Sequence, residues 1–325
     1  MTSSTPLQAP DLAAIRAAQE RIAGVALRTP LIRLNVDDAP AEIYLKLENL
    51  QPIGSFKVRP GANAILKLPP QQRAAGVYTA SSGNMAQGVA YAARALGIEA
   101  TVLLPAHAPQ VKIDALQRLG ATIRHLSDAD WWQVLLNHGD PDQPGSFIHP
   151  VANNDVIAGD ATIGAEIIAD LPDVDTILVP FGGGGLAVGI ASAVRALKPG
   201  TRVLAAESAH CAPFAASLKA GRPVDLPGPA TFITGIGIGT VLEDMWPMLA
   251  SLLHGAVAAS LEEIARTIAL LFERNRVVAE GAGAAPVASA LAGRAGGGKV
   301  VCVISGGNLH ARQFIDALSG RIPQP

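Results

Sequence analysis

Asn49-Leu50-Gln51-Pro52-Ile53-Gly54-Ser55-Phe56-Lys57-Val58-Arg59 is the stretch on which the reading of this chain turns. A lysine is normally an exposed, solvated charge whose long stem reaches water. Lys57 instead follows a Pro/Gly turn and a Ser-Phe pair in a mostly apolar neighbourhood. An amine beside an aromatic ring and partly desolvated loses its charge easily and can attack a carbonyl. Taken alone, Gly54-Ser55-Phe56-Lys57 fits a helix-start lysine covering apolar surface better than it fits a reactive amine. The rest of the sequence separates the two readings.

The chain has 325 residues, 49% of them hydrophobic and 16% charged, with a formal net charge of -2. That length allows one large or two medium domains with real cores. The near-zero charge gives no electrostatic case for a nucleic-acid or acidic-membrane partner. A mean hydropathy of +0.31 points to surface that a homodimer or homotetramer would bury. No apolar stretch runs long enough without Gly, Pro or charge to span a bilayer. Met1-Thr2-Ser3-Ser4-Thr5-Pro6 lacks the basic flank and apolar block of a signal peptide, so a cytoplasmic location is expected. Cys211 and Cys302 do not make a disulfide scaffold, and Cys302 in Val300-Val301-Cys302-Val303-Ile304 reads as a core thiol.

Helical and strand patterns alternate nearly throughout, which predicts an α/β fold with mostly parallel sheets. Helical spacing covers 11–24, with Asp11 as a cap, and 86–96, 112–119, 159–170, 186–197, 261–275 and 310–318. Strands are expected at 42–47, 76–80, 100–104, 122–124, 176–179, 202–206 and 299–304. Residues 139–146 and the Pro/Gly-rich 221–231 read as loops.

Phe181-Gly182-Gly183-Gly184-Gly185-Leu186 follows a strand and opens a helix. Four consecutive glycines leave backbone N–H groups free to converge beside the positive end of the helix dipole, an anion site suited to phosphate. The spacing is not Gly-x-Gly-x-x-Gly and no Walker lysine follows, so NAD and ATP are disfavoured. A tight packing turn is the plainer reading, though such turns rarely need four glycines. Thr79-Ala80-Ser81-Ser82-Gly83-Asn84-Met85 also joins a strand to a helix. Its hydroxyls, amide and loop N–H groups can collect a carboxylate, although a simple serine cap fits the same residues. Ser305-Gly306-Gly307-Asn308 repeats the arrangement, and its serine can offer a bound ring a neutral hydrogen bond or merely cap a helix. A reactive amine, a phosphate loop without nucleotide signatures and two polar turns together imply pyridoxal 5'-phosphate.

Lys46-Leu47-Glu48-Asn49-Leu50-Gln51-Pro52-Ile53-Gly54-Ser55-Phe56-Lys57, Ser81-Ser82-Gly83-Asn84, the four glycines, Glu280-Gly281-Ala282-Gly283 and Ser305-Gly306-Gly307-Asn308 occur in this order over nearly the whole chain. The set resembles the fold-type-II pyridoxal-phosphate enzymes, and within them the threonine/serine dehydratase and serine racemase group. The resemblance implies a tryptophan-synthase-β-like fold of two domains, each a mostly parallel sheet flanked by helices. Residues 1–64 plus 152–325 would form the large cofactor domain and 65–151 the small one.

The resemblance also implies roles. Lys57 would carry the cofactor as a Schiff base and serve as the si-face acid/base. Phe56 would lean on the pyridine ring, Asn84 would bond its 3'-hydroxyl and Ser305 would face its nitrogen. Gly182, Gly183, Gly184 and Gly185, with the Leu186 N–H, would hold the phosphate, and Glu280 joins the cofactor-binding set. A serine cannot keep the ring nitrogen protonated as an aspartate would, so the electron sink is weaker and suits β-elimination more than transamination. Ser81, Ser82, Asn84 and Met85 would wrap the substrate carboxylate, mainly through backbone N–H groups, and the cofactor phosphate would be the acid for the departing hydroxyl. The implied activity is that of a carbon–oxygen lyase turning a β-hydroxy-α-amino acid into a 2-oxo acid and ammonia.

Several positions depart from the family pattern. Met85 stands where a histidine is usual, replacing a polar contact with a soft apolar one. Glu207 matches the first ligand of a divalent-cation site, yet Pro213 falls where a second carboxylate is expected. A hard cation wants several oxygens, so no metal is expected and Glu207 reads as a remnant. Thr234-Gly235 replaces Asp-Gly, and His149-Pro150-Val151-Ala152-Asn153 replaces the usual His-Pro-Phe-Asp. No arginine lies between His125 and Asn137, where relatives handling a second carboxylate place one. Trp131-Trp132 lie there, as helix packing or as an aromatic wall. Serine and threonine are the default substrates. Met85, the tryptophans and the missing arginine shift weight toward an apolar β-substituent, with 3-phenylserine as the extreme and 3-hydroxyaspartate last. The chain stops soon after Ser305, so no regulatory domain and no isoleucine feedback are expected. Two rivals stay open: a racemase, since Ser82 matches the re-face acid/base of serine racemases, and a non-catalytic pyridoxal-phosphate or amino-acid binding protein.

Overall fold

The computed structural model describes residues 6–108, 110–226, 228 and 230–325. Met1 to Thr5 of the N-terminal reading, and Pro227 and Pro229 of the 221–231 loop, lie outside the described residues. The strands are β1 (Leu31–Arg33), β2 (Glu42–Lys46), β3 (Val77–Ala80), β4 (Ala100–Pro105), β5 (Thr122–Leu126), β6 (Ser146–Phe147), β7 (Thr176–Pro180), β8 (Arg202–Ser208), β9 (Ala256–Ala259) and β10 (Lys299–Val303). The helices are α1 (Leu12–Ile22), α2 (Val58–Lys67), α3 (Pro70–Ala74), α4 (Asn84–Ala95), α5 (Gln110–Arg118), α6 (Asp128–Leu136), α7 (Asn154–Asp170), α8 (Gly185–Leu197), α9 (Pro213–Ala220), α10 (Trp246–Leu252), α11 (Leu261–Asn275), α12 (Gly281–Leu291) and α13 (Ala311–Leu318).

Side-chain caps set several of these boundaries. Asp11 accepts the Ala14 N–H at 2.8 Å and starts α1. Ser260 and Glu263 form a reciprocal capping box at α11. The α7 helix begins at Asn154 rather than at 159, because the Asn153 side chain accepts the N–H groups of Asp155 and Val156. Neither β9 nor α12 was legible in the pattern. The first is a four-residue run of Ala and Val, and the second contains Pro286.

Two sheets form, in the orders β1-β2-β10-β7-β8-β9 and β5-β4-β3-β6. Every pairing is parallel except β1 on β2. The inner strands are apolar on both faces, as a sheet covered on both sides requires. In β10, Val300 and Cys302 pack with α11 and α12, while Val301 and Val303 pack with α7, α8 and α10. The smaller sheet is covered by α4 and α5 on one side and by α6 on the other, where Trp131 and Val134 meet Tyr78 and Leu103. The turns after β3, β7 and β10 leave the C-terminal ends of parallel strands, where α/β folds bind ligands.

The α2 helix ties the two layers together. A Cβ on Gly88 of α4 would lie 2.3 Å from the Lys57 carbonyl oxygen, and one on Gly159 of α7 would lie 2.6 Å from Pro60 Cα. Two glycines therefore let neighbouring helices close on the first turn of α2. Beneath it a buried ion cluster fixes the register. Arg59 donates to Glu48 at 2.8 Å and to Glu166 at 2.6 Å, and Lys46 donates to Glu166 at 2.5 Å. Such groups are tolerated in a core only when each charge keeps its partner.

Candidate active site

Lys57 immediately precedes α2, and its side chain is half-buried. Its Nζ donates to the Pro150 carbonyl at 2.8 Å and lies 4.9 Å from the Phe56 ring centroid. Burial lowers the amine's pKa, against the opposing pull of Asp160. The Pro150 turn is shaped by His149, whose Nδ1 accepts the N–H groups of Val151 and Ala152 at 3.0 and 2.7 Å. Burial, helped by repulsion from His138 and Lys57, pushes that imidazole down to about 3, so it is neutral and serves as an acceptor.

Val151 leads to the glycine turn. A Cβ on Gly183 would lie 2.5 Å from Val151 Cγ2, and one on Gly182 would lie 2.3 Å from the Gly235 carbonyl oxygen. Only glycine fits these approaches. Gly184 has φ +90° and stands at the N-cap of α8, with no side-chain cap. Among the described hydrogen bonds none engages the backbone N–H of Gly183, Gly184 or Gly185. The N-terminus of this thirteen-residue helix thus presents free donors and the positive dipole end.

The α4 start is similarly free. Gly83 is its N-cap without a side-chain bond, and a Cβ there would meet nothing within 4 Å. The Ser81 hydroxyl accepts the Gly83 N–H at 3.2 Å, whereas Ser82 has no side-chain bond among the described residues. Asn84 faces inward: its Nδ2 donates to Glu280 at 2.8 Å and its Oδ1 accepts from Asn308 at 2.8 Å. Burial, opposed by that bond and by Lys112, pushes Glu280 up to about 8, so it is protonated at neutral pH. The Phe56 N–H donates to the Ser305 carbonyl at 2.9 Å, bringing Ser305 to the lysine segment. Ser305 is buried, and its hydroxyl has no hydrogen-bond partner among the described residues. Lys57, Phe56, Asn84, Glu280, Ser305 and the glycine turn are therefore linked around one rim.

Three side chains that the sequence singles out lie in packing or capping positions. Met85 is buried in the apolar cluster of Ile65, Val77, Val89 and Ile148, so only its backbone can meet a ligand. The first turn of α4 rotates that position toward the core. Trp131 packs against the smaller sheet, its indole N–H donating to the Leu103 carbonyl at 3.1 Å, which is the packing alternative and not an aromatic wall. Glu207 accepts the N–H groups of Phe214 and Ala215 at 2.8 and 2.9 Å and so caps α9 with both oxygens. Among the described residues no cluster of three or more His, Cys, Asp or Glu is arranged to hold a metal. Sequence reasoning assigned no individual role to Gly88, Pro150, Asn308 or Asp160. Gly88 and Pro150 act through backbone space and a backbone oxygen, for which side-chain chemistry gives no signal.

What such a rim can hold is a small phosphorylated carbonyl compound, with free N–H donors for the anion, an amine for the carbonyl and an unpaired hydroxyl for a ring. The donor set fits pyridoxal phosphate. The chain matches the family described as pyridoxal-phosphate dependent enzyme over residues 22–306 and belongs to it. Its cofactor is pyridoxal phosphate. It is 40% identical over 307 residues to an L-threonine ammonia-lyase from Thermotoga maritima, a match spanning 92% of this chain and 76% of the relative. The fold is similar to that of maize serine racemase, with TM-score 0.86 and 30% identity over 96% of this chain and 98% of the other. It is similar also to a threonine deaminase from T.th., with TM-score 0.84 and 34% identity over 93% and 99%. Among the described residues no helix is long and apolar enough to cross a membrane.

Proposed function

We propose that this chain is a carbon–oxygen lyase that dehydrates a β-hydroxy-α-amino acid of the serine/threonine type to a 2-oxo acid and ammonia. The observation that carries the proposal is the half-buried Lys57 amine, lowered in pKa and hydrogen-bonded to Pro150, whose neighbour Val151 packs against an uncapped glycine-rich helix start. The names of the threonine ammonia-lyase and threonine deaminase relatives support the same chemistry. When bound, pyridoxal phosphate would supply the electron sink that makes a substrate's Cα proton removable.

The protein's own groups do the rest. Free N–H donors of the 182–186 turn hold the phosphate, and Phe56 supports the ring. Asn84 reaches the ring hydroxyl, its orientation fixed by Glu280 and Asn308. Ser305 gives the ring nitrogen a neutral partner, which favours elimination over transamination. The α4 start, with Ser81, Ser82 and the Asn84 and Met85 N–H groups, holds the substrate carboxylate. Lys57, whose pKa burial lowers, accepts the Cα proton, and the β-hydroxyl then leaves. The smaller sheet lies wholly within 65–151 and the larger wholly outside it, which supports large (1–64 plus 152–325) and small domains. Exposed Leu27, Leu50, Ile315 and Leu318 support burial in a homo-oligomer.

Assays of 2-oxo acid release from serine, threonine, 3-phenylserine and 3-hydroxyaspartate, in both stereochemical series, test the proposal. Serine or threonine should lead. The structural case for 3-phenylserine weakens with Met85 and Trp131 in packed positions, and release from none of the four would overturn the lyase. A second reading, amino-acid racemisation, is favoured by the unbonded Ser82 hydroxyl and the likeness to maize serine racemase. L-serine in D₂O distinguishes the two: deuterated D-serine forming as fast as pyruvate would replace dehydration with racemisation.

A further inference from the structure

We propose that Asp160 ties cofactor binding to pH: the phosphate settles on the glycine turn only when the Asp160 carboxyl carries a proton. This rests on the reading of that turn as the phosphate site. Asp160 lies on α7, is 0% exposed, and among the described residues neither of its carboxyl oxygens has a hydrogen-bond partner. A Cβ on Gly185 would lie 3.3 Å from Asp160 Oδ2, and one on Gly189 would lie 2.7 Å from Asp160 Cβ. The carboxyl is therefore pressed against the first turn of α8, beside the donors that would receive the anion. On α8 it faces Gly185 and Gly189, and the charged groups around it are Lys57, Glu48 and Arg59.

An ionised Asp160 and a phosphate dianion would repel strongly in so dry a place. A proton on Asp160 removes the conflict and leaves a neutral group whose desolvation costs far less. Burial, reinforced by Glu48 and opposed by Lys57 and Arg59, holds the carboxyl up at about 7, so in the cofactor-free protein it exchanges its proton near neutrality. An arriving phosphate raises that value further. Affinity should therefore fall about tenfold for each pH unit above ~7, as one linked proton requires. The phosphate itself, with a second pKa of about 6, changes charge little over that range.

The test is the dissociation constant of pyridoxal phosphate for cofactor-stripped protein, read by absorbance and tryptophan fluorescence at pH 7, 8 and 9. Wild type, Asp160→Asn and, should that variant fail to fold, Asp160→Ser are compared, with phosphate-free pyridoxal as a second ligand. The wild-type constant should rise about tenfold per pH unit relative to the uncharged variant. With pyridoxal the two proteins should run parallel. Parallel slopes with pyridoxal phosphate, or a wild-type constant that stays flat, would overturn the proposal. An equal difference with pyridoxal would place the effect on Lys57 and overturn it too. If wild type bound no pyridoxal phosphate at any pH, the cofactor site itself would be misassigned, a result distinct from the others.

Discussion

The Lys57 amine donates to the Pro150 carbonyl oxygen at 2.8 Å, and Val151, the next residue, is the surface that Gly183 of the glycine turn is pressed against. One backbone oxygen thus parks the amine on the segment that backs the proposed phosphate site. A neutral amine can leave such a partner at little cost, and burial already works toward neutrality. The arrangement depends on packing as much as on chemistry, and that dependence can be measured.

Gly88→Ala should displace Lys57 without changing its side chain. The new methyl would sit 2.3 Å from the Lys57 carbonyl oxygen, so α2 or α4 must shift, at about 1–3 kcal/mol. Urea unfolding should show that loss, and the holoprotein should lose cofactor absorbance. Gly83→Ala, whose methyl meets nothing, should stay within about 0.5 kcal/mol of wild type. Equal stabilities for the two variants would refute the close approach.

Glu280→Gln should flatten the pH dependence of stability. The folded carboxyl titrates at about 8 against an ordinary value of 4.5, so between those values the folded state holds a proton that the unfolded chain has released. Stability from this residue therefore falls as pH rises through that window, by about 1.4 kcal/mol per pH unit at most. Glutamine keeps an oxygen for Asn84 and cannot ionise. The wild-type Tm should drop more than the variant's between pH 5 and 8, and parallel curves would contradict the protonated form.

Glu207 is engaged as a helix cap. Glu207→Ala should destabilise the protein by about 0.5–2 kcal/mol, and EDTA should leave turnover unchanged. Strong inhibition by EDTA, relieved by Mg²⁺ or Ca²⁺, would mean that both carboxylate oxygens can leave α9 for a cation.

Met85→Leu should cost less than about 1.5 kcal/mol and leave relative kcat/KM among β-hydroxy amino acids unchanged, because the side chain fills the core beside Ile65 and Ile148. A changed preference between serine and 3-phenylserine would put that side chain at the substrate after all.

The site was legible where its chemistry sits on recognisable turns. Lys57, the four glycines, Ser81 to Asn84 and Ser305 each occupy a turn at the edge of a strand or helix, and the structure draws them onto one rim. What escaped was set by direction and approach. Met85 is one residue past Asn84, yet the first helical turn sends it to the core while Asn84 faces Glu280. Gly88 and Gly159 look like weak helix residues until α2 is packed between them. Asp160 resembles any polar helix position, since its burial exists only when α8 lies over it. The short β9 and the Pro-containing α12 fall below what periodicity can detect.

Lys57→Ala offers the plainest measurement: the visible-edge absorbance of the purified protein and its 2-oxo acid release from serine and threonine, recorded side by side with wild type. The variant should lose the cofactor band, and release should fall on the order of 10³-fold or more. A variant that kept the band and full turnover would contradict the assignment of the amine, and with it the site built around it.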